Sequence, residues 1–92
     1  MRTVHKFPVL DEAPFPVARG AKPVLVGQQG KEVYVWMEID TMEPTTLRRF
    51  SVIGTGWAVP CGSTHVGSFQ APPYVWHVYE LPAPAPAEEP KP

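Results

Sequence analysis

Apolar and polar positions alternate along several short stretches of this 92-residue chain, which is the pattern of β-strands. The alternation is clearest over residues 31–40, where one face is aliphatic and the other carries Tyr34, Trp36 and Glu38. We expect the aliphatic face to be core, and the aromatic face to be half-covered by a loop or exposed as a binding surface. The apolar run 23–26 precedes this stretch across a glycine-bounded link, so the two runs predict a β-hairpin.

Further strands are predicted on both sides of this hairpin. Residues 3–10 predict a short edge strand that Pro8 interrupts, because proline cannot donate to the ladder. Residues 47–53 and 64–70 predict two more strands, and residues 74–81 predict another that is rich in aromatic and β-branched side chains. The inward face of that last strand stays open, since each face is apolar enough for the core, a loop or a second subunit to cover it.

The whole pattern predicts an all-β domain over residues 1–81, built as a five- or six-stranded antiparallel sheet that is bent or partly closed into a barrel. Residues 11–22 contain two prolines and a glycine and fit neither periodicity, so they predict an ordered surface loop. Residues 82–92, Pro-Ala-Pro-Ala-Pro-Ala-Glu-Glu-Pro-Lys-Pro, have no bulky side chain to bury. They predict a disordered tail of polyproline-II character.

Composition and charge exclude several classes of protein. Thirteen prolines disfavour coiled coils and helix bundles, and a net charge of −1 lacks the basic field that a duplex-binding protein needs. Residues 1–81 carry equal numbers of positive and negative charges, which favours close association between copies. Cys61 is the only cysteine, and the sequence has neither an apolar leader nor a membrane-spanning run. We expect a soluble protein of a reducing cytoplasm that does not contact membranes.

No polar motif predicts catalysis. His77 lies in a predicted strand without a neighbouring nucleophile or orienting carboxylate, which is typical of a hydrogen-bonded structural histidine. Residues 54–56, Gly-Thr-Gly, lack the lysine and the helix of a phosphate loop and predict a strand end or bulge. Acidic residues, histidines and Cys61 show no metal-ligand spacing. We therefore expect no enzyme, metal or cofactor; the competing hypothesis is a hydrolase that uses His77 or His65 with Thr55.

The abundance of Trp and Tyr is the most informative feature for function. These residues anchor interfaces and stack on bases, although small β domains also fill their cores with aromatic side chains. Arg48 offers either an anion clamp or a solvated strand-edge cation. The residues that we expect to bind a ligand or partner are Tyr34, Trp36, Arg48, Thr55, Trp57, Trp76 and His77.

Four segments of the chain carry a resemblance to a known family. They are Val-Tyr-Val-Trp-Met-Glu-Ile-Asp (33–40), Thr-Thr-Leu-Arg-Arg-Phe-Ser-Val-Ile-Gly-Thr-Gly (45–56), Val-Gly-Ser-Phe-Gln (66–70) and Val-Trp-His-Val-Tyr-Glu (75–80). With the opening Val-His-Lys-Phe-Pro-Val, this combination resembles a family of short domains of unknown function encoded by tailed bacteriophages and prophages. The resemblance implies a phage accessory protein in the host bacterial cytoplasm, and it supplies no catalytic residues.

These observations lead to an expectation about function. A phage accessory protein of this kind is expected to act by stoichiometric binding of a host protein during infection. One alternative is a sponge that sequesters a host nucleotide immune signal, and another is a minor structural protein of the virion. We also expect a homo-oligomer, most simply a dimer, because a domain this small cannot bury so many aromatic side chains alone.

Overall fold

The computed structural model describes residues 1–84, and over that range the chain forms strands and turns without any helix. The eight strands are β1 (Arg2–Pro8), β2 (Phe15–Ala18), β3 (Lys22–Gln29), β4 (Glu32–Asp40), β5 (Thr45–Arg48), β6 (Phe50–Gly54), β7 (Thr64–Ala71) and β8 (Tyr74–Glu80). They form three antiparallel sheets in the orders β1-β4-β3, β2-β5 and β6-β8-β7. The predicted all-β antiparallel class is confirmed. The predicted single sheet of five or six strands, bent or partly closed, is wrong, because the strands divide among three sheets that do not close.

The first sheet contains the predicted hairpin and the predicted edge strand. β3 and β4 pair through a turn at residues 30–31, and β1 pairs with the other side of β4 at the edge of the sheet. Val35 lies opposite Phe7 on β1 and Val26 on β3, so these three side chains share the inward face. Val35 and Met37 are completely buried, which confirms that the aliphatic face of β4 is core.

Residues 11–22 do not form the surface loop that the sequence predicts. They contain β2, in which Phe15 and Val17 point into the core while Pro16 between them is exposed. The ring of Phe15 stacks between those of Phe7 and Phe50, with centroid distances of 5.8 and 5.7 Å. A proline is tolerated here because β2 belongs to a two-stranded sheet, where each strand has an edge without a neighbour.

The predicted strand over residues 47–53 is two strands in the structure. β5 ends at Arg48 and pairs with β2, whereas β6 begins at Phe50 and pairs with β8. At the break, the carbonyl of Arg49 accepts a hydrogen bond from the amide of Leu81, and its guanidinium donates to the carbonyl of Pro82. The chain therefore passes from one sheet to the next at a single residue, which strand periodicity does not reveal.

The third sheet packs on the first through β7 and β3, and the predicted strands over 64–70 and 74–81 are both present as β7 and β8. Val78 is completely buried in the shared core, so the face of β8 that carries Trp76 and Val78 is the inward one. The opposite face carries His77 and Tyr79.

The predicted disordered tail over residues 82–92 lies outside the described residues from position 85 onwards. Residues 82–84 follow β8 without regular structure. No helix in residues 1–84 is long and apolar enough to cross a membrane.

Candidate functional site

A depression of about 420 Å³ lies at the end of the third sheet where β6 stops and β8 begins. We call it the Trp57–Trp76 groove; it is lined by Gly54, Thr55, Trp57, Pro73, Tyr74, Val75 and Trp76. Its volume falls within the range of about 300–1,000 Å³ that is typical of ligand pockets. The lining is mainly aromatic and aliphatic, so the groove suits an apolar or planar group.

The turn after β6 builds one wall of the groove. The amide of Trp57 donates to the carbonyl of Gly54 over 3.0 Å, and Gly56 between them has a φ of +92°. This turn places the Trp57 indole directly over Gly54, where a β-carbon would lie 2.7 Å from Trp57 Cε2. A β-carbon at position 54 would displace the Trp57 ring, so glycine allows the ring to lie where it does.

The strand β8 builds the rest of the groove. Trp76 is paired with Gly54 across the sheet, so the Trp57 and Trp76 rings form an edge-to-face pair with centroids 5.6 Å apart and an interplanar angle of 77°. Tyr74 projects from the same face of β8 two residues earlier, with its ring 5.7 Å from that of Trp76. Tyr74 and Trp57 are 60% and 58% exposed, whereas Trp76 is half-buried. Two accessible rings thus contact a third that is fixed between them.

The groove has little charge of its own. No Lys, Arg, His, Asp or Glu is among the lining residues of this part of the described structure. None of the side-chain hydrogen bonds within residues 1–84 uses the indole nitrogen of Trp57 or Trp76 or the hydroxyl of Tyr74. Tyr and Trp side chains of this kind combine an apolar ring with a polar group, which suits contact with a partner that is apolar in part.

A chain of hydrogen bonds crosses the opposite face of the third sheet. His65 Nε2 lies 2.9 Å from Ser68 Oγ, Ser68 Oγ lies 2.7 Å from His77 Nδ1, and His77 Nε2 lies 2.9 Å from Thr55 Oγ1. The Thr55 hydroxyl donates to the carbonyl of Val75, so it accepts from His77 Nε2–H. A neutral His77 then accepts at Nδ1 from Ser68, and Ser68 accepts from His65 Nε2–H. In this assignment every member of the chain has a partner, and the directions follow from the tautomer given to His77.

Arg48 lies apart from the groove in an ion pair between sheets. Its Nε and Nη2 atoms donate to both carboxylate oxygens of Glu80 over 2.7 Å, and Nη1 donates to the carbonyl of Ala21 over 2.6 Å. Its guanidinium carbon lies 5.6 Å from the Phe50 ring centroid. Three of its five N–H groups are thus engaged inside the fold, including the Nε and Nη2 pair that would otherwise clamp an external anion.

Tyr34 and Trp36 lie on the outer face of the first sheet. Their ring centroids are 6.0 Å apart, and the Lys6 ammonium lies 4.5 Å from the Tyr34 ring centroid. Leu25 is paired with Trp36 and is 59% exposed. The sequence left open whether this face of β4 is covered or exposed. In the structure it is partly covered, because Tyr34 and Trp36 are half-buried while Leu25 beside them is exposed.

A second depression, of about 350 Å³, is bordered by charged residues of both signs. Its cations are Arg2, Arg19 and Lys22, and its anions are Glu38, Asp40 and Glu43. The hydrogen bond and charge of Arg2 lower the pKa of Glu38 below its ordinary value of 4.5. The pKa of Asp40 is lowered mainly because it accepts a hydrogen bond from the amide of Met42. The charges balance, so this depression offers no net attraction for an anion.

The structure therefore separates the residues that the sequence singled out. It brings Thr55, Trp57 and Trp76 together in the groove and bonds His77 to Thr55 from the other face. Tyr34, Trp36 and Arg48 lie elsewhere. No group of three or more His, Cys, Asp or Glu residues in the described range is arranged to hold a metal ion.

Sequence reasoning missed Tyr74 and Pro73 as lining residues and Ser68 as the link between the two histidines. The turn at Pro72 and Pro73 would have predicted the pairing of β7 with β8, and with it the position of Ser68 opposite His77. A two-residue turn between β7 and β8 pairs Ala71 with Tyr74, and counting outward from that pair places Ser68 opposite His77.

A family model for a domain of unknown function, DUF7352, matches residues 1–89. The chain belongs to the DUF7352 family. The expectation of a family of unknown function is thus confirmed, and the DUF7352 match spans all eight strands and the Trp57–Trp76 groove. No curated protein and no solved structure matches the chain.

Proposed function

We propose that this DUF7352 protein is a non-catalytic binding protein whose Trp57–Trp76 groove engages a protein partner with one-to-one stoichiometry. The observation that carries the proposal is the pair of rings, Tyr74 and Trp57, that stay more than half exposed against the fixed ring of Trp76. Aromatic side chains in a concave apolar surface are typical of the residues that dominate the energy of protein interfaces.

The proposal includes a biological setting that rests on the family resemblance of the four segments. The protein is a phage or prophage accessory protein, and its partner is a host protein in the bacterial cytoplasm. The balanced charge of residues 1–81 supports a protein surface as the target. A multiply charged ligand would require compensating cations at the site.

A nucleotide sponge is the weaker alternative for the same groove. An aromatic ring could stack on a base, but the phosphates would need donors or cations beside it. Arg48, the cation expected for that role, is bonded to Glu80 and to the carbonyl of Ala21. Backbone amides of residues 54–56 are the donors left for this alternative. A role as a minor virion protein is the second alternative, and detection in purified virions would favour it.

The absence of catalysis in the proposal rests on the direction of the hydrogen bonds around His77. The carbonyl of Val75 competes with His77 Nε2 for the single proton of the Thr55 hydroxyl, which weakens the case for activation of Thr55 as a nucleophile. Ser68 does donate to His77, but the other nitrogen of His77 faces a hydroxyl instead of the carboxylate that raises histidine basicity in hydrolases. An alanine variant of His77 or His65 that lost a measured turnover while staying folded would establish the enzyme alternative.

The test is recovery of a partner from bacterial lysate with the full chain as bait. We expect one stoichiometric protein that binds the wild type and is lost from Trp57→Ala, because this ring forms a wall of the groove and contributes little to the core. Trp36→Ala is the matched aromatic control from the other sheet. Loss with Trp36→Ala but not with Trp57→Ala would move the site to the outer face of the first sheet and contradict the proposal.

A thermal-shift screen with cyclic nucleotides and ADP-ribose derivatives tests the sponge alternative. A ligand at one hundred times its Kd raises the free energy of unfolding by about 2.7 kcal/mol, which such a screen resolves. A shift that Trp57→Ala removes would replace the protein-partner proposal with the nucleotide one.

A further inference from the structure

We infer that the Trp57–Trp76 groove binds a proline-rich segment, and that its occupant is the Pro/Ala segment of a second copy of this chain. The Pro/Ala segment is defined as residues 83–92, Ala-Pro-Ala-Pro-Ala-Glu-Glu-Pro-Lys-Pro. This inference rests on the proposed use of the groove for protein binding, and it makes the Pro/Ala segment of a second copy a competitor of the host protein for that groove.

The chemistry of the groove matches a polyproline ligand. Such ligands dock into grooves between aromatic rings, because the extended proline helix loses little entropy on binding and presents flat apolar rings. Tyr74, Trp76 and Trp57 supply adjacent rings 5.6–5.7 Å apart, and Pro73 and Val75 supply the apolar remainder. Neither indole N–H group donates a side-chain hydrogen bond within residues 1–84.

The sequence outside the described strands supplies such a ligand. Alanine separates Pro84 from Pro86, and charged residues stand before and after Pro90. No residue of this segment has an aromatic or branched apolar side chain that could instead join the core. The segment thus has the composition of a linear binding motif and lacks that of a strand or helix.

The reach of the chain favours a second copy over the same copy. β8 runs away from the groove, and its continuation is fixed where Arg49 donates to the carbonyl of Pro82. The six-residue interval between Trp76 and Pro82 spans roughly 20 Å of extended strand. Residues 83–87 span only about 16 Å as polyproline II, so the alternating Pro/Ala part does not return to its own groove. A second copy has no such restriction.

If each copy placed its Pro/Ala segment in the groove of the other, both grooves would be occupied and the two copies would form a twofold dimer. This dimer agrees with the equal numbers of positive and negative charges in residues 1–81, which impose no net repulsion between the copies. It is also the homo-oligomer that the surplus of aromatic side chains leads us to expect.

The test follows the three indole N–H resonances of the full-length ¹⁵N-labelled double variant Pro84→Ser/Pro86→Ser, whose own segment does not fill the groove. On titration with a synthetic peptide of residues 82–92, we expect the Trp57 and Trp76 resonances to shift in a saturable way while that of Trp36 stays in place. A peptide with serine at positions 84 and 86 is the control and should weaken binding at least tenfold. Equal shifts of all three indoles, or no shift at millimolar peptide, would overturn the inference.

Sedimentation of full-length variants tests the exchange itself. Wild type should dimerise at several hundred micromolar, whereas Trp57→Ala and the double variant Pro84→Ser/Pro86→Ser should each be monomeric. Their equimolar mixture should recover a heterodimer, because one groove and one Pro/Ala segment remain intact. Glu88→Gln, also within the segment, should dimerise like the wild type. A monomeric wild type, or dimers that both variants retain, would contradict the inference.

The two proposals fail in different ways. If the peptide leaves the Trp57 resonance unchanged while a host protein is still lost from Trp57→Ala, the binding function stands and the proline-rich occupant is wrong. If the peptide binds and no host protein depends on Trp57, the groove serves self-association and the host-binding function is wrong.

Discussion

Gly67 on β7 faces Val26 on β3 at the contact between the first and third sheets. A β-carbon at position 67 would lie 2.7 Å from Val26 Cγ2, well inside van der Waals contact. Val26 is buried and pairs with Val35, so moving its side chain would disturb the core. The absence of one side chain thus allows the two sheets to approach each other.

Gly67→Ala is therefore expected to destabilise the protein by about 1–3 kcal/mol, the usual cost of overpacking. Chemical denaturation with fluorescence detection measures the change. Gly27→Ala is the matched control, since its β-carbon would lie an ordinary 3.8 Å from Trp36 Cζ3, and it should be close to neutral. Val26→Ala in the Gly67→Ala background should recover part of the loss. Equal effects of the two glycine variants would contradict this account.

Arg48→Met is expected to destabilise the fold by about 2 kcal/mol. The change removes both hydrogen bonds to Glu80 and leaves that carboxylate half-buried beside the core, with side-chain exposures of 17% for Arg48 and 27% for Glu80. Methionine keeps the stem that packs near Phe50. A double-mutant cycle with Glu80→Gln measures the coupling, and additive effects would show that the pair contributes nothing.

Acid should destabilise the protein through the exposed carboxylates near the first strand. The pKa of Glu38 is below its ordinary value of 4.5 when folded, so the unfolded chain binds protons first. The contribution is complete above pH 4.5 and is lost as the pH falls through the folded pKa. Denaturation between pH 6 and pH 2.5 should show a shallower acid slope for Glu38→Gln than for wild type. An unchanged slope would indicate that the Arg2–Glu38 pair is not formed in solution.

The hydrogen-bond chain on the third sheet predicts the tautomer of His77. Neutral His77 should carry its proton on Nε2, because Nδ1 accepts from Ser68 and Thr55 accepts from Nε2. Long-range ¹H–¹⁵N correlation spectra at pH 8 distinguish the two nitrogens directly. Ser68→Ala should raise the share of His77 that carries its proton on Nδ1. Ser63→Ala, which is not part of this series of hydrogen bonds, should leave that share unchanged. A dominant Nδ1–H form in the wild type would reverse the assigned directions.

The sequence by itself determined the all-β class, most of the strands and the β3–β4 hairpin. Alternation over β4 predicted the buried positions Val35 and Met37, and the glycine-bounded turn before it predicted the β3–β4 pairing. The abundance of Trp and Tyr also singled out Trp57 and Trp76, which line the groove. These features depend on neighbours in the chain, and periodicity and turn chemistry record such neighbours directly.

Only the tertiary structure decided how the strands divide into sheets and which polar residues are free. The transfer from β5 to β6 at Arg49 depends on contacts with Leu81 and Pro82. Arg48 is unavailable to a ligand because Glu80, thirty-two positions later, bonds it. Strand periodicity does not predict contacts between residues so distant in sequence, because those contacts follow from the packing of whole sheets. For the same reason Trp36 and Trp76, equivalent in the sequence pattern, lie on different sheets and face different surroundings.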